Sequence, residues 1–195
     1  IFQQFDQAIG KIADRLSVAP DLDTSGVDKF IQFESTPSAS GSHHLTVLLQ
    51  AIKSKNPINL CYKKFSGSSK SNYCLYPYLL KEYRNRWYLL GWDTAKNAVR
   101  TFGCDRIETI DILGDSTFSK VNFNAEEYFQ HAFGITVLDD SPPVLVKFRC
   151  TPLLGSYLKS GPLHNSQSIE EFNDHSIVSL KVLITFELLA WLRGN

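Results

Sequence analysis

The spacing of hydrophobic and polar residues changes several times along this chain, and each change marks an element. Phe2, Phe5, Ile9, Ile12 and Leu16 recur three or four apart with Gln, Asp, Lys and Arg between them, which predicts an amphipathic helix over the first sixteen residues. Ser35 to Ser42, rich in Ser, Thr, Pro and Gly, reads as a loop before a helix from Leu45 to Lys53. The period then shortens to two. Ile58-Asn59-Leu60-Cys61-Tyr62 alternates as a half-buried strand does, and Phe65 to Asn72 is a Ser/Gly/Lys turn. Tyr73 to Tyr76 runs into Pro77, which lacks an amide donor and so suits a strand end or edge. Trp87-Tyr88-Leu89-Leu90 is an aromatic and aliphatic strand, Asp93 to Asn97 a polar turn, and Val99 to Phe102 a return strand carrying Arg100.

Short strands this close together, joined by polar turns, predict a small closed β-barrel. Further on, Val144 to Phe148 reads as a strand, Leu153 to Leu158 as a helix start, and Ser166 to Phe172 and Ser176 to Thr185 as two strands. Phe186 to Leu192 is a short apolar helix stopped at Gly194-Asn195. This β-α-β-β-α order predicts a ferredoxin-like sandwich without its last strand. The expected class is therefore α+β. A helical connector and loop (1–44) precede the barrel (45–118), and a helical linker (119–142) leads to the incomplete C-terminal part (143–195). A chain that starts at Ile1 and contains no methionine reads as a fragment of a longer one.

Charge changes this picture. The chain is neutral overall, yet Lys53 to Arg106 holds eleven Lys and Arg against only Glu82, Asp93 and Asp105, an excess of eight positive charges between acidic flanks. A basic, tyrosine-rich barrel suits an anionic ligand, because cations neutralise phosphate and aromatic faces stack bases. Lys53, Lys55, Lys70 and Lys96 are read as solvating surface lysines. Arg100 and Arg106 sit in strand-like, partly apolar settings where a guanidinium needs a partner, and Asp105 could serve either one. Trp87 and Leu89, on one face of their strand, are assigned to the core.

Other chemistry is sparse. Cys61, Cys74, Cys104 and Cys150 are too scattered for a zinc site or disulfide framework and read as buried free thiols in a reducing cytoplasm. His43-His44 reads as solvated loop or helix cap. Glu126-Glu127, Asp139-Asp140 and Glu170-Glu171 are adjacent pairs that point apart, and the chain has no nucleophile elbow, zinc-protease motif or phosphate-binding loop. No enzyme, metal or cofactor is expected, and no apolar run is long enough to span a membrane.

The stretch from Leu45 to Phe118 resembles a WYL domain. The resemblance rests on Tyr62 in the first strand, Pro77 before Tyr78-Leu79-Leu80, the triplet Trp87-Tyr88-Leu89, and Arg100-Thr101-Phe102 leading to Asp105-Arg106-Ile107. One departure is Asn72-Tyr73-Cys74, where many members have an arginine before the strand. The resemblance implies an Sm-like barrel of a bacterial transcription regulator, following a DNA-binding helix-turn-helix domain, and the C-terminal part is similar to the extension that often follows such barrels. It also implies ligand contact for Tyr62, Lys63, Arg100 and Arg106, with Trp87, Tyr88, Leu89 and Asp105 structural. The expected effector is single-stranded nucleic acid or a nucleotide, and the expected assembly a homodimer. The competing reading is a protein-interaction or dimerisation module whose basic face meets an acidic partner or the chain's own acidic C-terminal segment. An open Tyr and Arg cluster favours the first, and one covered by Glu170, Glu171 or Asp174 favours the second.

Overall fold

The computed structural model describes residues 41–65, 69–114, 122–138 and 140–194. The amphipathic helix expected at the start of the chain lies outside them. Helix α1 (Leu45–Ser54) buries Leu48 and Ala51 and ends where Lys55 turns left-handed at φ 57°. Strands β1 (Ile58–Lys63), β2 (Lys70–Tyr83), β3 (Arg86–Asp93), β4 (Ala98–Gly103) and β5 (Ile107–Ile112) form one antiparallel sheet in the order β4-β3-β2-β1-β5.

That order departs from a closed barrel, because β4 and β5 are the two sheet edges and no ladder joins them among the described residues. They are nonetheless consecutive in sequence, linked only by the 3-10 turn Cys104–Arg106. A flat five-stranded sheet would hold its edges about 19 Å apart, at about 4.8 Å per strand. The link from Gly103 to Ile107 reaches at most about 15 Å, so the sheet must curl. Side chains close the corner instead of a ladder: the Gly103 amide donates to the Tyr62 hydroxyl at 3.2 Å, from β4 to β1. Leu48, Ile58, Leu60, Tyr62, Leu75, Leu89, Phe102, Cys104 and Ile107 form one core inside the curl.

Of the two positions its missing amide suggested, a strand end or an edge, Pro77 takes the edge: it lies within β2, at a register shift opposite Gly91, where β1 no longer pairs. The reason is local. β1 pairs with β2 only over Lys70 to Leu75, so at Pro77 the side away from β3 needs no donor. Gly91 is required there, since a Cβ would stand 2.9 Å from the Tyr76 carbonyl oxygen.

Within the stretch expected to be a helical linker, the described residues hold one short helix, α2 (Ala125–Phe129), capped by Asn124. Strand β6 (Val144–Cys150), helix α3 (Pro152–Ser160), strands β7 (Ser168–Glu171) and β8 (Ser176–Val182), and helix α4 (Phe186–Gly194) follow in the expected order. They form an antiparallel sheet ordered β6-β8-β7, over a core of Phe133, Leu158, Val178, Leu180, Val182 and Leu188.

Candidate ligand site at the curled edge

Curling brings β1, β2 and β4 side chains into one row. Tyr62, Tyr73 and Phe102 meet edge to face, with ring centroids 5.0 to 6.2 Å apart. Alternation along β1 puts Tyr62 on the same buried face as Ile58 and Leu60. The Arg100 guanidinium lies 5.2 Å from the Tyr73 ring at one end, and the Arg106 guanidinium 5.2 Å from the Tyr62 ring at the other. Beyond Arg106 stands Phe65, its ring 4.5 Å away and 76% exposed. Three rings therefore lie between the two cations and a fourth beyond Arg106, each cation–ring contact worth about 0.5–1 kcal/mol at an exposed site.

Asp105 does not partner Arg100, which donates from Nη1 to Asp93 Oδ2 at 3.0 Å. Asp93 is 1% exposed and also accepts from the Ala95 and Lys96 amides, so it ties the β3–β4 turn together. At the other end, Asp105 Oδ1 is 3.7 Å from Arg106 Nε, an ion pair too long for a hydrogen bond. Arg106 Nε is buried without a hydrogen-bond partner among the described residues. Gly103 makes room for both groups: a Cβ there would lie 2.6 Å from Asp105 Oδ1 and 2.7 Å from Arg106 Nη2.

Of the expected ligand residues, the fold brings Arg100, Arg106 and Tyr62 together. Tyr62 is only 5% exposed and serves as the ring beneath Arg106; burial pushes its phenol pKa up, opposed in part by the Arg106 charge. Lys63 is exposed on the opposite face of β1. Leu89 is fully buried, Trp87 packs half-buried against the same core, and Tyr88 pairs across from Gly103. Sequence reasoning missed Tyr73, Phe65 and Asp93.

The turn beneath Arg106 is anchored on its other side. Gly41, at φ 102°, leaves no room for a Cβ, which would come within 2.2 Å of the Cys104 carbonyl group. His44, expected as solvated loop or helix cap, holds the N-cap position of α1 without a side-chain cap bond, and its Nε2 stands 3.0 Å from the Ile107 carbonyl oxygen. Burial lowers the His44 pKa and pushes the Cys104 thiol up to about 12.

Of the three acids named as candidates to cover this row, Glu171 and Asp174 pair elsewhere. Glu171 accepts from Lys159 at 2.8 Å, and Asp174 binds Arg149 at 2.9 Å and His175 at 2.7 Å, all within the second sheet's unit. A groove of about 600 Å³ lined by Phe148, Arg149, Leu154, Asp174, His175 and Trp191, among others, shares no residue with the row. Among the described residues, no cluster of His, Cys, Asp and Glu could hold a metal, and no helix is long and apolar enough to cross a membrane.

Comparisons with known proteins place these observations. Residues 43–112, which contain the row, match the family model described as the WYL domain. No match was found among curated proteins. Among solved structures, proteasome accessory factor B/C (PafBC) of Arthrobacter aurescens aligns at 20% identity and a TM-score of 0.42 over 87% of this chain. The chain covers 25% of that protein's length.

Proposed function

We propose, from the premise that this chain carries a WYL domain at residues 43–112, that it is the ligand-sensing part of a bacterial transcription regulator. In this reading the curled sheet is an open, Sm-like fold and the second sheet a ferredoxin-like extension. The observation that carries the ligand reading is the Arg106 guanidinium, set between Tyr62 and Phe65 and 26% exposed, with an Nε that no hydrogen bond satisfies. Such a group attracts phosphate, and the exposed ring beside it offers a face for a base. Single-stranded nucleic acid or a nucleotide is the effector class that uses both. Effector binding would then bias one arrangement of a homodimer, and with it DNA binding by a helix-turn-helix domain elsewhere in the regulator. Against the form of the interaction-module alternative in which the chain's own acidic segment covers the row stands the pairing of Glu171 with Lys159 and of Asp174 with Arg149.

Fluorescence anisotropy of a short labelled single-stranded DNA across a salt series tests this. Binding should weaken as salt rises and weaken tenfold or more in Arg106→Ala, by a larger factor than in Arg100→Ala. A flat salt response, or full binding by Arg106→Ala, would sink the reading.

A further inference from the structure

Asp105 and Arg106 are adjacent in one three-residue turn, yet their side chains fold toward each other over Gly103. The carboxylate neutralises the guanidinium without bonding to it, since 3.7 Å separates Oδ1 from Nε and Nε lacks any other partner. Both side chains keep some access to solvent, 26% for Arg106 and 21% for Asp105. The contrast with Asp93 is chemical: that carboxylate is buried and accepts three hydrogen bonds, so it cannot leave without stranding its donors. No side-chain hydrogen bond to another residue ties Asp105 down among the described contacts, and its pairing with Arg106 is of the weak kind.

We infer that Asp105 is a built-in counter-anion that the effector's phosphate displaces from Arg106, so that it sets the affinity and salt sensitivity of the site. This rests on the ligand reading above and adds a role to a residue that would otherwise only steady the turn. A phosphate oxygen approaching the guanidinium meets the Asp105 carboxylate as a like charge. It gains Arg106 only as that carboxylate swings aside. Removing the charge while keeping the shape therefore favours the bound state.

The test measures single-stranded DNA binding by the 195-residue chain as wild type, Asp105→Asn, Arg106→Ala and the double variant, at low and high salt. Asp105→Asn should bind about fivefold tighter at low salt, the gap should close as salt rises, and the gain should vanish in the Arg106→Ala background. Asp105→Ser serves as a second neutral variant should Asp105→Asn lower the thermal midpoint. Wild-type binding without a gain in the neutral variants would overturn the counter-anion role and leave the ligand reading standing. A gain that persists without Arg106 would also overturn it, because the effect would then be one of net charge. No binding by any of the proteins would overturn both.

Discussion

The two ends of the cation–aromatic row carry the same residue type and differ in almost everything else. Arg100 is tied by a 3.0 Å hydrogen bond to a carboxylate that also caps a hairpin turn. Arg106 faces a carboxylate at 3.7 Å, retains an unsatisfied Nε, and touches an exposed ring. One arginine has its charge spent on the fold and the other has it held in reserve. Arg100 lies within β4 and Arg106 at the end of the turn that follows it, and what separates their charges is how completely the neighbouring acid is itself satisfied.

The strongest way to break this comparison is to remove the ring at its centre. Phe102 is 2% exposed and contacts Tyr62, Tyr73 and the Arg100 guanidinium. Phe102→Ala should cost about 4 kcal/mol of folding stability by chemical denaturation, and a loss under about 1 kcal/mol would mean the row is not packed as described. Next comes Asp93→Ala, which strands Arg100 and frees two turn amides. It should cost about 2–3 kcal/mol, while Asp105→Ala costs well under 1. Equal losses at the two aspartates would erase the difference between the ends.

Ligand binding sharpens the contrast in the opposite direction. Arg106→Ala should weaken single-stranded DNA binding tenfold or more, about 1.4 kcal/mol, with little change in stability. Gly103→Ala should weaken binding by a smaller factor while leaving the fold in place, because its φ of −68° suits alanine but its Cβ would displace the ends of Asp105 and Arg106. Binding by Gly103→Ala as tight as wild type would show that the Gly103 cradle does not matter.

Much of the scaffold could be read from the chain because alternation and turn chemistry are local signals. β1, β4, β6 and α1 fall where the periodicity placed them, to within a residue or two, and β3 runs three residues further, to Asp93. The curl and the partners were not legible. Asp93 opens a polar turn, a position where an aspartate often accepts from amides two and three residues on, so its role had a sequence signal that went unused. Phe65 had none, since it lies in a Ser, Gly and Lys stretch and reaches Arg106 only through the corner that β5 makes. Pro77 signalled an edge correctly but not that the strand runs on through it, because one strand can be central along one half and an edge along the other.

The smallest expected effect concerns how the corner beneath Arg106 is held. His44 sits against the Ile107 carbonyl, and its pKa is lowered chiefly by burial, with His43 adding to the shift and the Ile107 contact opposing it. A histidine whose folded pKa lies below its unfolded value binds fewer protons when folded. Its contribution to stability is therefore fully present above about pH 6.5 and is lost as pH falls through the folded value. His164 is shifted the same way, first by burial and then by His131, so part of any acid loss belongs to the second sheet. The urea midpoint should fall between pH 7.5 and 5.5 in the wild type, and His44→Asn should flatten that fall without abolishing it. An unchanged pH profile in His44→Asn would mean that the corner carrying Arg106 is indifferent to the state of its anchor. The two ends of the row would then differ only in their aspartates.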